Sequence, residues 1–246
     1  MKIEGAVALV TGANRGIGDA YVTELLARGA ATVYAGARKA ESVEVSDPRI
    51  VPIALDVTDP ERVAAVAEEL SDVSLVINNA GVMTANVPLR ASLEEARSQI
   101  ETNYLALISM TSAFAPVVVR NGGGAFVNML SAVSFVGTPW MTTYAASKAA
   151  AWNYTNSARV QLAGQGTELL GVHVGYVDTD LAADIVADKV APDVVARAAL
   201  DALEAGQSEV LVDDFTRNIK AGLSDDQNLI YPQVAENFAA AMEAKG

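Results

Sequence analysis

Cysteine is absent from this 246-residue chain, and histidine occurs only once, as His173. Without cysteine the protein has no disulfide, no thiolate nucleophile and no cysteine-ligated metal. A single histidine also excludes the histidine cluster of a typical zinc site. Carboxylates alone remain as possible metal ligands, but nothing in the sequence favours such a site. We therefore expect no metal.

Positive charge is scarce as well, with 17 Lys and Arg residues against 30 Asp and Glu, giving a net charge of −13. Such a chain repels phosphate backbones and has no basic stripe for nucleic acid or anionic lipid. Its apolar runs stop well short of the roughly 18 residues of a membrane span. The first apolar run leads into a glycine-rich turn rather than a signal-peptide cleavage site. We expect a cytoplasmic protein with neither nucleic acid nor membrane as partner.

Hydrophobic residues make up 51% of the chain, enough for a large core, and no linker or charge block divides it. Short β-rich runs alternate with stretches of helical periodicity, which predicts a doubly wound, Rossmann-type α/β fold with helices on both faces of a parallel sheet. We expect residues 1–246 to form one domain, with 213–246 as a C-terminal extension packed on it. About seven strands are predicted, at 6–10, 31–38, 50–55, 73–77, 125–130, 168–175 and 209–212.

The segment TGANRGIG, from Thr11 to Gly18, follows the first predicted strand and opens an amphipathic helix. Gly12, Gly16 and Gly18 permit a tight turn and let backbone N–H groups approach a pyrophosphate at the positive end of that helix. An ordinary loop is the alternative, because glycines alone are a weak signal. The strand before and the helix after favour dinucleotide binding.

The second strand ends at Arg38, where a dinucleotide-binding fold meets the adenosine ribose. An acid there would select NAD, but this strand end has none, and Arg15 in the glycine turn supplies a second cation. Two guanidinium groups suit a 2′-phosphate, so the predicted cofactor is NADP(H). The alternative is a pair of solvated surface arginines. Asp56 follows the third strand and is expected to face the same cleft.

Tyr144 and Lys148 are four residues apart and share one face of a predicted helix that runs to about Ala163. A nearby cation lowers the pKa of a phenol from about 10, so Tyr144 is a candidate general acid or base. Ser131, at the end of the fifth strand, is placed to hold a substrate oxygen. A Tyr and a Lys four residues apart also occur by chance in many helices. Here, however, Tyr144 and Lys148 follow the glycine-rich segment TGANRGIG in the order that a dinucleotide-dependent site requires.

A long apolar helix is predicted from Ser98 to Val119, and it carries Asn103 among nonpolar neighbours. A buried amide must find hydrogen-bond partners. Asn103 is therefore either a satisfied core residue or part of a buried water relay.

With these motifs in order, the chain resembles the short-chain dehydrogenase/reductase family over about residues 3–212. TGANRGIG fits the family's TGxxxGxG, NNAG fits at Asn78 to Gly81, and YAASK fits YxxxK. Ser131 lies at the family's spacing from Tyr144, which favours it over Ser134. The resemblance implies a catalytic tetrad of Asn103, Ser131, Tyr144 and Lys148.

The resemblance also implies that Asp56 holds the adenine amino group, that Asn79 lies near the ribose and that Thr179 contacts the nicotinamide carboxamide. The complete set of expected cofactor contacts is Gly12, Asn14, Arg15, Gly16, Ile17, Gly18, Arg38, Asp56, Val57, Asn79, Ala80, Gly81, Tyr144, Lys148, Val177 and Thr179.

Two departures from the family pattern stand out. Val174 replaces the proline of the family's PGxVxT, so the fixed φ of proline is lost beside the nicotinamide. Asp213, Asp214 and Phe215 follow the last strand, where the family often has glycines and builds oligomer contacts. We still expect a homo-oligomer, either a dimer or a tetramer.

These features predict an NADP(H)-dependent oxidoreductase that transfers hydride between nicotinamide and a carbonyl or secondary alcohol. A catalytically silent NADP(H)-binding redox sensor is the main alternative, and a nucleotide-sugar epimerase would need a larger C-terminal region. Uncharged side chains around Tyr144 favour a neutral, bulky, apolar or aromatic ketone or aldehyde. The candidates to line this substrate pocket are Met83, Val133, Phe135, Pro139, Trp140, Met141, Tyr176 and Leu181.

Overall fold

The computed structural model describes residues 1–243; the last three residues of the predicted extension, 244–246, lie outside the described residues. In residues 1–243 the strands are β1 (Val7–Thr11), β2 (Thr32–Ala37), β3 (Ile50–Ala54), β4 (Leu75–Asn78), β5 (Gly124–Met129), β6 (Thr167–His173) and β7 (Glu209–Leu211). They form one parallel sheet in the order β3-β2-β1-β4-β5-β6-β7. The predicted doubly wound fold is confirmed.

Helices cover both faces of the sheet because neighbouring strand residues are buried on opposite sides. The helices are α1 (Gly16–Ala27), α2 (Pro60–Glu69), α3 (Leu93–Ile100), α4 (Ala106–Arg120), α5 (Thr142–Ala163), α6 (Pro192–Glu204), α7 (Asp214–Gly222), α8 (Asp226–Leu229) and α9 (Tyr231–Glu243). Ala8 and Val10 pack with α1 and α6 in one cluster, whereas Leu9 between them packs with α2 and α4 in the other.

A π-helical turn, Glu101–Leu105, joins α3 to α4, so that Leu93–Arg120 is one long helix. It begins earlier than the predicted Ser98, because Ser92 and Glu95 form a capping box at its start. By length and composition alone this helix could cross a membrane. In the fold, however, Met110, Phe114 and Val118 are buried in the core beside the sheet.

The C-terminal extension starts where the carboxylate of Asp213 caps α7, accepting from the Thr216 N–H at 2.7 Å. Its last helix lies against the segment between Ser131 and Tyr144. There the Tyr231 hydroxyl accepts from the Gly137 N–H at 3.1 Å, and Phe238 contacts Trp140 edge-on. The extension thus packs beside the residues predicted to carry the chemistry.

Candidate active site

A cleft of about 1020 Å³ opens at the carboxyl ends of the strands, where the strand order reverses between β1 and β4. Ligands of open α/β sheets bind at this position. The cleft runs from Arg38 and Asp56 at one end to Met83 and Phe215 at the other. We call these the nucleotide end and the substrate end.

The glycine turn at the nucleotide end has a backbone that only glycine fits. Gly12 and Gly16 have positive φ values of 64° and 57°. A Cβ on Gly18 would lie 2.0 Å from the Gly12 carbonyl oxygen, so Gly18 packs behind the turn rather than lining the cleft. Arg15 precedes α1 without a side-chain cap, which leaves the first-turn N–H groups to an anion. This cradle fits a dinucleotide pyrophosphate.

Thr11 and Asn79 hold this turn in place. The Asn79 side chain donates to the carbonyl oxygens of Thr11 at 2.9 Å and Gly12 at 3.2 Å. The Thr11 hydroxyl accepts from the backbone N–H groups of Asn79 and Ala80, both at 3.0 Å. Asn79 lines the cleft while its amide secures the turn. Our sequence reasoning gave Thr11 no role of its own; the signal was its place as the first residue of TGxxxGxG.

The two predicted arginines lie in different settings. Arg38 follows β2 and is exposed at the mouth of the nucleotide end. Arg15 also lines the cleft, but its guanidinium is paired with Asp180 at 2.6 Å, in an ion pair whose side chains are 64% and 74% exposed. An exposed pair of this kind is weak, so Arg15 can exchange its carboxylate for another anion.

Asp56 lies deeper in the nucleotide end. Its Oδ1 accepts from the backbone N–H of Thr58 at 3.0 Å and from the Thr58 hydroxyl at 2.7 Å, which orients the carboxylate. Other expected cofactor contacts also line the cleft: Asn14, Ile17, Val57, Ala80, Gly81, Val177 and Thr179.

Ser131, Tyr144 and Lys148 meet between the two ends. Ser131 follows β5, and its hydroxyl donates to the Val174 carbonyl at 3.4 Å and accepts from the Val133 N–H at 3.3 Å. Ser134 accepts from the Ser131 N–H at 3.0 Å and does not line the cleft. Of the two serines, only Ser131 is placed to touch a substrate.

The predicted lowering of the Tyr144 pKa by Lys148 is absent from this geometry. The Lys148 ammonium donates to the Met129 carbonyl at 2.7 Å and lies 5.8 Å from the centre of the Tyr144 ring. Burial raises the pKa of the Tyr144 phenol to about 12, and the neighbouring Ser131 hydroxyl opposes that rise only in part. Burial also lowers the pKa of Lys148 to about 8. Tyr144 is therefore a proton donor at neutral pH.

Asn103 lies in the π turn behind the cleft, 2% exposed. Its side chain accepts from the Val82 N–H at 2.9 Å and donates to the Val82 carbonyl at 2.8 Å and the Ser147 hydroxyl at 3.0 Å. Ser147 in turn donates to the Tyr144 carbonyl at 2.7 Å. Asn103 is thus a satisfied amide that anchors the helix carrying Tyr144. Sequence reasoning missed Ser147, although it lies within YAASK.

The substrate end is lined by only part of the predicted apolar set, namely Met83, Val133, Met141, Tyr176 and Leu181. Phe135 and Trp140 do not line it. Phe135 turns away from the cleft and stacks on His173 with ring centres 4.2 Å apart, and Trp140 packs against Phe238. Both were wrong as pocket residues because an irregular segment has no period that fixes side-chain direction.

Two residues that were not predicted for the substrate end, Ile185 and Phe215, also line it. Phe215 comes from α7 in the extension, and its ring stacks on Tyr176 with centres 6.3 Å apart. Beside it, the Asp213 carboxylate accepts from the Gly175 N–H at 2.7 Å. Asp213 thereby ties down the backbone that follows Val174, the residue in place of the family proline.

The short lid over the substrate end, residues 180–189, is fastened at its base. Backbone hydrogen bonds join Asp178 to Val190 at 2.9 Å and Val190 to Tyr176 at 2.8 Å. Lys189 is half-buried and donates to the Ala183 carbonyl at 3.5 Å. Its ammonium thus contacts the backbone of the lid itself.

Comparison with known proteins places this geometry in a family. A family model described as short chain dehydrogenase matches residues 6–190. A short chain dehydrogenase from Burkholderia cenocepacia, solved in complex with NADP, is 40% identical and superposes with a TM-score of 0.91 over 95% of this chain and 99% of that one.

Relatives of known function are reductases of the same family. The 3-oxoacyl-(acyl-carrier-protein) reductase FabG of Vibrio cholerae is 33% identical over 189 residues, covering 74% of this chain and 77% of that protein. The ketoacyl reductase HetN of Nostoc sp. is 30% identical over 228 residues, covering 85% and 79%. The resemblance seen in the motifs is confirmed, and this chain belongs to the short-chain dehydrogenase/reductase family.

Proposed function

We propose that the protein is an NADP(H)-dependent oxidoreductase that acts on a carbonyl or the corresponding secondary alcohol. The observation that carries the proposal is the meeting of Ser131, Tyr144 and Lys148 in one cleft, between a glycine cradle and an apolar wall. The bound nicotinamide nucleotide would supply or accept the hydride.

The preference for NADP(H) over NAD(H) rests on the nucleotide end. Arg38 is exposed at the end of β2, where no carboxylate stands to bind a ribose hydroxyl, and Arg15 lies in the adjoining turn. Guanidinium groups bind a phosphate through charge-assisted hydrogen bonds. The Burkholderia relative, solved with NADP, supports the same choice.

The proton chemistry follows from the protonation state of Tyr144. The phenol stays protonated at neutral pH, so it would donate a proton to the carbonyl oxygen as negative charge develops there. The Ser131 hydroxyl would donate a second hydrogen bond to that oxygen. Lys148 would place a positive charge near the phenol and bind the nicotinamide ribose. A protonated phenol favours the direction of carbonyl reduction.

For the substrate we propose a neutral, bulky, apolar or aromatic ketone or aldehyde. The substrate end has an apolar wall that includes the stacked rings of Tyr176 and Phe215, and the cationic residues that line the cleft are Arg15, Arg38 and Lys148. Burying a carboxylate there would cost free energy without a compensating partner. The lid adds negative charge near the opening, through Asp180, Asp184 and Asp188. The relatives named as 3-oxoacyl and ketoacyl reductases make 3-oxoacyl thioesters a second candidate class.

The rival function is a redox sensor that binds NADP(H) without turnover. Such a sensor needs no proton donor, whereas here the tetrad residues are all present and Tyr144 faces the cleft. The test is to mix the protein with NADPH and a panel of aryl ketones, aldehydes and 3-oxoacyl thioesters, following the absorbance of the reduced nicotinamide. Turnover that disappears in Tyr144→Phe supports the enzyme. Tight NADPH binding with no turnover of any compound would favour the sensor.

We also propose that the protein works as a homo-oligomer. Apolar side chains are exposed on the π turn, α4 and α5, including Leu105, Val119 and Val160. Light scattering at micromolar concentration would test this, because a monomeric mass would contradict it.

A further inference from the structure

A buried polar cluster lies directly behind Ser131, and the reaction described above uses none of its members. His173, at the end of β6, is fully buried. Its Nδ1 lies 3.1 Å from the Ser131 carbonyl oxygen, and its Nε2 lies 3.4 Å from Oε1 of Glu209 on β7. The ring is stacked on Phe135. The sole histidine of the chain thus bridges the backbone of Ser131 and a carboxylate.

Glu209 is itself held as an anion. The Lys220 ammonium, on α7, donates to the same Oε1 at 3.0 Å and lies over the rings of Phe135 and Trp152, at 4.4 Å and 4.9 Å. The neighbouring side chains of His173 and then Lys220 lower the pKa of Glu209 to about 2, against the opposing effect of burial.

The charged groups around His173 come from three elements. Glu209 faces it from β7, Lys220 stands behind Glu209 on α7, and Arg159 on α5 also acts on Glu209. The segment from Ser131 to Phe135 contributes no charge.

The Ser131 carbonyl fixes one proton on the ring. A carbonyl oxygen only accepts, so Nδ1 must carry a hydrogen for the contact with Ser131. On the other side of the ring, Nε2 faces the Glu209 carboxylate at 3.4 Å, and that carboxylate is held in turn by Lys220.

We propose that His173, Glu209 and Lys220 form a positioning cluster that fixes the Ser131 peptide and so directs the Ser131 hydroxyl toward the substrate oxygen. This inference rests on the proposed function, which assigns Ser131 its role. The hydroxyl's own hydrogen bonds are long, at 3.3 Å and 3.4 Å, so its direction depends on the backbone that carries it. Because Lys220 lies on α7, the C-terminal extension would also contribute to the position of Ser131.

The first test reads the ring directly and needs no activity. Because His173 is the sole histidine, the ¹⁵N ring spectrum of the untagged protein contains one imidazole. We expect Nδ1 to carry a hydrogen in the wild type, because its partner is a carbonyl oxygen. We expect the Nε2 resonance to shift in Glu209→Gln, because Nε2 faces the Glu209 carboxylate. An Nδ1 without a hydrogen in the wild type, or a ring spectrum unchanged by Glu209→Gln, would overturn the cluster.

The second test separates positioning from packing. His173→Asn keeps an N–H donor close to the position of Nδ1, whereas His173→Leu fills the site without a donor. We expect kcat for ketone reduction to fall about tenfold or more in His173→Leu, with NADPH affinity unchanged, and to recover in large part in His173→Asn. If kcat in His173→Leu equals kcat in His173→Asn, then His173 contributes only packing and the proposal fails.

The two tests also separate this inference from the proposed function. If the wild type reduces no carbonyl, the proposed function fails, while the ring spectrum still decides whether the cluster exists as described. If the wild type reduces ketones but the spectrum shows a neutral ring with Nδ1 unprotonated, only the cluster fails. Because the spectrum is read on wild type and Glu209→Gln, a His173 variant that does not fold leaves the proposal open to refutation.

Discussion

The nucleotide end and the substrate end of the cleft are constructed differently. The nucleotide end is largely backbone, made by one continuous turn whose glycines exclude a Cβ and by the ends of neighbouring strands. The substrate end is made of side chains that arrive from distant segments, with Met83, Tyr176 and Phe215 as examples. The difference shows that cofactor binding depends on a local conformation, whereas substrate choice depends on how remote segments pack.

Tyr144→Phe separates the two ends most sharply, because it removes the proton donor and leaves the nucleotide cradle intact. General acid catalysis contributes about 100- to 10,000-fold, so kcat should fall by at least about 100-fold while the Kd for NADPH stays within about twofold. Tyr154→Phe, on the same helix but away from the cleft, is the matched control. Equal damage in the two variants would mean that the site has been misplaced.

The nucleotide end should distinguish NADPH from NADH. Each charged hydrogen bond to the 2′-phosphate contributes about 1.5–3 kcal/mol, so NADPH should bind at least about tenfold more tightly. Arg38→Ala should remove most of this difference by weakening NADPH alone. Dissociation constants for both nucleotides, measured on both proteins, would decide the matter, and equal wild-type affinities would refute the assignment.

The substrate end should prefer an aryl ketone to a keto acid of similar size, by about tenfold or more in kcat/KM, because its apolar wall gives a carboxylate no partner. Lys189 is the one lid residue whose charge could reverse this preference. A preference for the keto acid that disappears in Lys189→Ala would show that the lysine leaves Ala183 and enters the cleft.

The pH dependence should reflect both buried groups. Lys148, with a pKa lowered to about 8, is charged below that pH, whereas Tyr144, with a pKa of about 12, remains protonated well above it. The kcat/KM for reduction should thus be level near neutral pH and fall several-fold as the pH rises through about 8. Alcohol oxidation, which needs a phenolate, should rise with pH. A reductive rate that keeps rising above pH 8 would contradict this.

The smallest expected effect concerns the ion pair between Arg15 and Asp180, which links the glycine turn to the lid. Exposed pairs contribute about 0.2–1 kcal/mol, so Asp180→Asn should free Arg15 and tighten NADPH binding by up to about fivefold. NADH has no 2′-phosphate and should be unaffected, which makes it the internal control. A parallel gain for both nucleotides would exclude competition for Arg15.

The sequence by itself determined the parts whose geometry is local. A strand, a glycine turn and a helix in succession already define the cradle from Thr11 to Gly18, because positive φ and close approach are properties of those residues. The helical period likewise places Tyr144 and Lys148 on one face wherever that helix packs. The alternation of strands and helices likewise predicted a doubly wound parallel sheet of about seven strands, which the structure has.

Only the tertiary structure decided what lies opposite those motifs. In the structure Phe135 and Trp140 lie outside the predicted substrate pocket. Phe215, which comes from the C-terminal extension and belongs to no recognised motif, lines that pocket instead. Lys148 contacts the Met129 carbonyl, so burial rather than a neighbouring cation sets the pKa of Tyr144. Irregular segments have no period to orient side chains, and contacts between residues far apart in the chain exist only once the sheet has brought them together.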